Sequence, residues 1–261
     1  NCVSPEQCSV LGTLKQPLDV MVIIDKSGSM NERAGNATKI VQAKAGATTF
    51  VNNLVQGSDR VGLVSFSDKA TLLSGLSSSY TTTKSKIQSI TVGGTTNIGA
   101  AVKTAYQEIS TNGRVGVKQV IIVLTDGEAT ASDFPNITPS QYAMNQATVA
   151  KVGGAIIYTI GLGTNLDANL LRLMATVPEN FYSSPTGNDL DAIYIDIASI
   201  ACTAAPAHIS GTVTYDSNAN GVADSGETGL GGSQIYLISK DNSQPTRTTT
   251  SATNGSFTLD T

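Results

Sequence analysis

A single histidine, three cysteines and no tryptophan occur in 261 residues, and each scarcity excludes a class of chemistry. His208 stands alone in a connecting segment, so neither a Ser-His-Asp triad nor a histidine zinc centre can be assembled. Cys2, Cys8 and Cys202 have no C-x-x-C spacing, which removes the usual cysteine zinc sites. Charged residues make up 14% of the chain, against about 25% in ordinary globular proteins. Ser, Thr, Asn and Gly must therefore cover much of the surface, a make-up common in secreted and cell-surface proteins. The net charge is −4 with no block of Lys and Arg, so nucleic acid and anionic membranes have no electrostatic footing as partners. The longest apolar stretches, around Val120–Leu124 and Ala155–Gly163, are far shorter than the roughly 20 residues that span a bilayer. No secretory leader precedes Asn1, and the chain reads as processed or excised from a longer precursor.

What is present is an alternation of strand and helix patterns from residue 18 to 201, the sign of a doubly wound, mostly parallel sheet with helices on both faces. Leu18–Ile24 is continuously apolar, as a strand covered on both sides should be. Ile40, Ala43, Ala47, Phe50, Val51 and Leu54 recur at helical spacing between residues 38 and 55. Arg60–Phe66 reads as a strand and Lys69–Leu73 as an antiparallel edge. Asn97–Ser110 is helical, Val117–Leu124 a strand, Ser140–Val152 helical and Ala155–Leu162 a strand. Helices at Leu166–Ala175 and Leu190–Ala201 flank a short strand at Phe181–Tyr182. Cys2 and Cys8 precede this domain and Cys202 follows it. A disulfide from either to Cys202 would clasp the ends, worth about 5 kcal/mol in the chain-entropy model, with the odd cysteine left to pair elsewhere. The expected boundaries are an N-terminal cysteine-containing segment at 1–16, the α/β domain at 17–202, a linker at 203–208 and an all-β module at 209–261. The module is read as a partial sandwich, with strands at Ile209–Tyr215, Ser233–Ser239 and Ser256–Leu259.

The first strand runs straight into Asp25-x-Ser27-x-Ser29. A carboxylate and two hydroxyls at alternate positions in a tight loop can converge on a small divalent ion, and Mg²⁺ favours such oxygen ligands. Two more donors lie at loop starts: Thr96 in Gly93-Gly94-Thr95-Thr96-Asn97, just before a helical stretch, and Asp126 in Thr125-Asp126-Gly127, just after an apolar run. Thr95 and Thr96 are adjacent; Thr96 is chosen because it directly precedes Asn97. In an open α/β sheet, ligands bind beyond the carboxyl ends of the strands, where both aspartates fall. These three motifs, in this order, resemble the metal-ion-dependent adhesion site of von Willebrand factor type A domains. The resemblance covers roughly residues 17 to 202. It implies Mg²⁺ or Mn²⁺ on Asp25, Ser27, Ser29, Thr96 and Asp126, with an acidic group of a macromolecular partner completing the metal's shell.

A second oxygen-rich loop, Asp216 to Glu227, fits D-x-[DN]-x-[DN]-G-x5-E throughout. Asp216, Asn218, Asn220, Asp224 and Glu227, with the carbonyl of Val222, can wrap Ca²⁺. Strands rather than helices flank it, and it is similar to the calcium loop of B-type repeats in bacterial surface adhesins.

Enzymatic readings fare poorly. Aspartyl phosphoryl transfer would use Asp25 as nucleophile but needs a second acid two residues on, where Ser27 stands. Gly161-Leu162-Gly163 is a strand-ending turn, since no dinucleotide fingerprint follows it. The sequence therefore points to a non-enzymatic extracellular adhesion module that binds a protein or other macromolecule through a divalent cation. The rival is a structural subunit of a surface filament or stalk, with stabilising metals.

Overall fold

The computed structural model describes residues 17–200, 208–220, 222, 224–238 and 246–260. Cys2, Cys8 and Cys202, and with them the expected clasp, lie outside the described residues. The chain divides after residue 203 into two compact units.

The first unit contains β1 (Leu18–Asp25), a small hairpin of β2 (Arg33–Ala34) and β3 (Ala37–Thr38), α1 (Lys39–Asn53), β4 (Arg60–Phe66), β5 (Ala70–Ser77), α2 (Thr81–Ser89), α3 (Ile98–Asn112), β6 (Lys118–Thr125), α4 (Pro139–Val152), β7 (Ile156–Leu162), α5 (Ala168–Met174), β8 (Phe181–Ser184) and α6 (Leu190–Ile200). Every residue of β1 is buried. Because successive strand side chains point to opposite faces, Leu18, Val20, Val22 and Ile24 enter one core with Phe50, Ile87 and Tyr194. Met21 and Ile23 enter the other, with Val102, Ala147 and Leu171. The first core is roofed by α1, α2 and α6 and the second by α3, α4 and α5. One glycine is required by this packing: a Cβ on Gly99 of α3 would come within 2.4 Å of the Tyr142 ring on α4.

The six-stranded sheet has the order β5-β4-β1-β6-β7-β8, parallel except for β5 at the edge. From β1 the chain winds outward through β4 to β5, then returns to lay β6 on the other flank of β1. The winding therefore reverses between β1 and β6, which opens a crevice beyond their carboxyl ends.

The β2–β3 hairpin and a strand at Arg247–Thr250 were not foreseen from the sequence, and three further features depart from its expectation. The edge strand β5 runs on to Ser77. The helix α2 was not foreseen, since Thr81, Thr82, Thr83 and Ser85 are weak helix formers; it forms because Ile87 is buried in the first core and Thr83 Oγ1 lies 2.8 Å from Ser74 Oγ. His208, placed above in the linker, is the first residue of a strand.

In the second unit, β9 (His208–Thr212) pairs antiparallel with β12 (Ser256–Asp260), and β10 (Gln234–Leu237) with β11 (Arg247–Thr250). An isolated bridge between Thr214 and Gly229 closes the base of the 216–227 loop.

At the amino end of β1, Asp19 is fully buried between two arginines. Arg60 donates to both of its oxygens, at 2.9 and 2.5 Å, and Arg114 donates from its backbone at 2.6 Å and its side chain at 2.8 and 3.0 Å. Burial pushes this carboxyl up, but the arginine hydrogen bonds outweigh it and hold the pKa below the ordinary value of 3.8. A depressed carboxylate stabilises the fold above its unfolded pKa and loses that contribution as pH falls through the folded value. Asp19→Asn is expected to cost about 3 kcal/mol at pH 7. The deficit in urea midpoint should narrow below about pH 4, and an equal midpoint for both proteins at pH 7 would contradict the clamp.

Candidate metal centre

Asp25 is the last residue of β1 and Asp126 directly follows β6. The two strands are hydrogen-bonded neighbours, so the carboxylates emerge side by side where the winding reverses. Both are buried. Asp25 Oδ1 accepts the Ser27 backbone N–H at 2.7 Å and Oδ2 accepts the Thr125 hydroxyl at 2.5 Å. A single 3₁₀ turn, Gly28–Asn31, follows Ser27. The Ser27 and Ser29 hydroxyls lie 3.2 Å apart, and Ser29 donates to Asp126 Oδ1 at 2.8 Å. Thr96 Oγ1 lies 3.9 Å from where a Cβ on Gly127 would stand, against the residue that follows Asp126. The structure thus gathers Asp25, Ser27, Ser29 and Asp126 into one cluster with Thr96 beside it. Thr95 turns away: its N–H and hydroxyl both donate to Asp68 Oδ1, at 2.8 and 2.5 Å, while Thr96 is buried.

The loops carrying these residues are tied together through their backbones. Gly28 N–H donates to Gly94 O at 3.0 Å, Gly93 N–H to Lys26 O at 2.7 Å, Asn97 N–H to Ser67 O at 2.8 Å and Thr130 N–H to Thr96 O at 2.9 Å. Gly94 has φ +89, and a Cβ there would meet Asp68 Oδ2 at 2.6 Å, so the approach requires glycine. Asn97 caps α3 by accepting the Ala100 N–H at 3.0 Å. Its amide donates to Asp133 Oδ1 at 2.9 Å, and Tyr142 donates to Asp133 Oδ2 at 2.9 Å. The Thr96 loop is thereby fixed to both the 128–138 segment and α4.

The charges at the cluster are unevenly balanced. Lys39, 5% exposed, donates to Asp126 Oδ2 at 2.7 Å and to Glu32 Oε2 at 2.9 Å. Burial alone would lower the pKa of this ammonium, but its two carboxylate partners more than offset that and raise it. Asp25 meets only neutral donors among the described residues. Burial is the main cause that pushes its pKa from 3.8 to about 6; bonds from Thr125 and Ser27 oppose the rise and the charge of Asp126 adds to it.

Lys39, Glu32, Thr125, Asp68 and Asp133 were not singled out from sequence. Lys39 had a signal: a cation in the first turn of a helix opposes the helix dipole, so a carboxylate partner from elsewhere is needed. The other contacts join segments far apart in the chain and leave no local pattern.

In the second unit, the loop side chains also converge. Asn218 and Asn220 amides donate to Asp224 Oδ2 at 2.8 and 2.7 Å. Asp216 Oδ1 accepts the Asn220 N–H at 3.2 Å, and Asn220 Oδ1 accepts the Val222 N–H at 2.8 Å. Glu227 spans the loop, accepting Ser217 N–H at 2.9 Å and Asp224 N–H at 3.2 Å. The Asp224 carboxyl is held below its usual pKa by the Asn218 and Asn220 amides. All these side chains are exposed except that of Glu227, which is half-buried.

The Asp25 shift has a sign opposite to that of Asp19. A carboxyl whose pKa is raised on folding takes up a proton, so its ionised form opposes folding above the raised value, here by about 3 kcal/mol. Asp25→Asn, which keeps an oxygen for the Ser27 N–H and lets the Thr125 hydroxyl turn to accept, is expected to raise the melting temperature of the metal-free protein at pH 7 by about 5 °C. The gain should fade as pH drops from 6 towards 4, and a variant that melts lower than wild type in EDTA at pH 7 would contradict the account.

The sequence model of the von Willebrand factor type A domain matches residues 19–195. Among curated proteins, the UPF0353 protein of Mycobacterium marinum (strain ATCC BAA-535 / M) is 30% identical over 199 residues, which cover 68% of this chain and 58% of that protein. The chain thus spans little more than half the length of this relative. Proximal thread matrix protein 1 from the mussel byssus, in a structure with a zinc-occupied MIDAS motif, superposes with a TM-score of 0.60 and 25% identity, over 72% of this chain and 46% of that one. The vWF domain of the type V pili tip protein Mfa5 from Porphyromonas gingivalis shares the fold, with a TM-score of 0.63 at 19% identity over 74% of this chain and 99% of that one. The match across residues 19–195, on a sheet whose winding reverses beside Asp25 and Asp126, establishes that the chain belongs to the von Willebrand factor type A domain family.

Proposed function

We propose that the first unit is an extracellular adhesion domain, on the cell surface or secreted, that holds Mg²⁺ or Mn²⁺ on Asp25, Ser27, Ser29, Thr96 and Asp126 and binds an acidic group of a protein partner through that ion. The single observation that carries this reading is Asp25, a fully buried carboxylate bonded only to neutral donors among the described residues. A buried anion without a counter-charge is costly unless a cation completes it. The donor set suits a small hard cation: carboxylates and hydroxyls in loops laced by backbone bonds. When bound, the ion supplies an electrophilic position; Asp25 and Asp126 supply its charge, and Ser27, Ser29 and Thr96 supply neutral oxygens that leave it unsaturated. The zinc-occupied motif of the mussel protein supports a cation, and the pilus and thread neighbours support an adhesive or structural setting. Lys69 and Lys103, with Asp133, line a concavity of about 310 Å³ between the β4–β5 turn and α3, next to Asn97; these ammonium groups favour an acidic partner. We read the domain as non-enzymatic, with no nucleic-acid role. Among the described residues no helix is long and apolar enough to cross a membrane.

The second unit is proposed to bind Ca²⁺ in the 216–227 loop, in the manner of a B-type repeat. Glu227 already reaches across to both arms of the loop through its two oxygens.

Calorimetry should detect Mg²⁺ or Mn²⁺ binding to wild type and none to Asp25→Ala that is folded by circular dichroism. Thr96→Ala should lose partner binding more than metal binding, because both carboxylates remain. Unchanged metal affinity in Asp25→Ala removes the central claim, and partner capture undiminished in EDTA would make any metal purely structural.

For the calcium loop, wild type should bind at roughly 10⁻⁴–10⁻³ M and gain melting temperature with Ca²⁺, and Glu227→Ala should lose most of that gain. An equal gain in both proteins would reduce the loop to a turn.

A further inference from the structure

Lys39 brings a buried ammonium to a pair of buried carboxylates. The two oxygens of Asp126 face different partners: Oδ1 accepts the Ser29 hydroxyl at 2.8 Å and Oδ2 accepts Lys39 at 2.7 Å. The ammonium therefore takes the oxygen turned away from the serines and leaves the other facing them. On its far side Lys39 is held by Glu32 at 2.9 Å, whose side chain is 65% exposed against 6% for the lysine. No other ion pair reaches either carboxylate of the cluster among the described residues. The cluster thus carries one resident cation placed on one carboxylate only.

We propose that Lys39 is the built-in counter-cation of the centre: it steadies Asp126 when no metal is bound, weakens the hold on a divalent ion, and gives the loaded centre a net positive charge that an acidic group of the partner neutralises. The inference rests on the cation-binding reading above. Two carboxylates and a divalent ion alone sum to zero; the lysine adds one positive charge in a setting too buried for solvent to screen fully. Glu32, exposed and screened, acts on the metal mainly by drawing the lysine's charge away from Asp126.

The sign of these effects separates the proposal from a merely structural lysine. With Mn²⁺ as the probe, followed by calorimetry or by the electron spin resonance of the free ion, Lys39→Met should bind about tenfold or more tightly. The same variant should melt below wild type in EDTA and recover in Mn²⁺, as linkage demands of a site that gains affinity. Glu32→Ala, at an exposed position, should weaken Mn²⁺ binding about threefold. That loss should shrink when Lys39 is Met, because Glu32 then has no charge to share. A folded Lys39→Met protein that binds Mn²⁺ no more tightly than wild type overturns the inference while leaving the reading intact. Should Lys39→Met fail to fold, Glu32→Ala decides alone, and unchanged or tighter binding overturns the inference. Wild type that binds no Mn²⁺ overturns the cation-binding reading itself, and the inference falls with it.

Discussion

The burial of Asp25 at the end of β1, beside only neutral hydrogen-bond donors among the described residues, is the constraint on which the site end of the molecule depends. The strand that carries it is closed on both faces and on both edges, so the carboxylate cannot turn to solvent. Two neutral hydrogen bonds hold it, from Ser27 and Thr125, which is too little for an ionised group in that setting. At the opposite end of the same strand Asp19 is equally buried and takes two arginines. One strand therefore bears two aspartates of opposite electrostatic character. The paired one stabilises the fold at neutral pH and the unpaired one opposes it.

That instability is contained by the loops. The turn after β1, the β4–β5 turn and the segment after β6 each bond through the backbone to the 93–97 segment, and Asn97, Asp133 and Tyr142 anchor them to α3 and α4. Each loop alone is largely polar, and glycines at Gly28, Gly93, Gly94 and Gly127 lie in three of the four. Together they form a rim that holds Asp25, Ser27, Ser29 and Asp126 near fixed positions, the kind of preorganisation that lowers the ordering cost of binding. Lys39 contributes from a different direction, through the first turn of α1, and balances only half of the charge.

The second unit uses another physical strategy. Its 216–227 loop closes on itself by hydrogen bonds between its own amides and carboxylates, over separations of two to ten residues, with Glu227 joining the arms. The geometry is local, so its donors could be named from spacing alone. The first unit's cluster is assembled over separations of 97 and 100 residues, and only the order of strands in the sheet brings its halves together.

The sequence by itself determined the alternation of strands and helices, because continuous apolar strands and helical spacing of apolar residues are set by which faces must be buried. It also marked Asp25-x-Ser27-x-Ser29, Thr96 and Asp126, oxygen-bearing side chains where strands end and the chain turns, as residues that could meet. It did not determine α2, whose threonines disfavour a helix that burial of Ile87 imposes. Nor could it tell Asp19 from Asp25: both are aspartates on one apolar strand, and their opposite pKa shifts come from arginines 41 and 95 residues away in one case and, in the other, from burial with no such partner among the described residues. The tertiary structure alone placed Lys39 on Asp126 across 87 residues, because an electrostatic partner is chosen by distance in space and desolvation, and neither is written in local sequence.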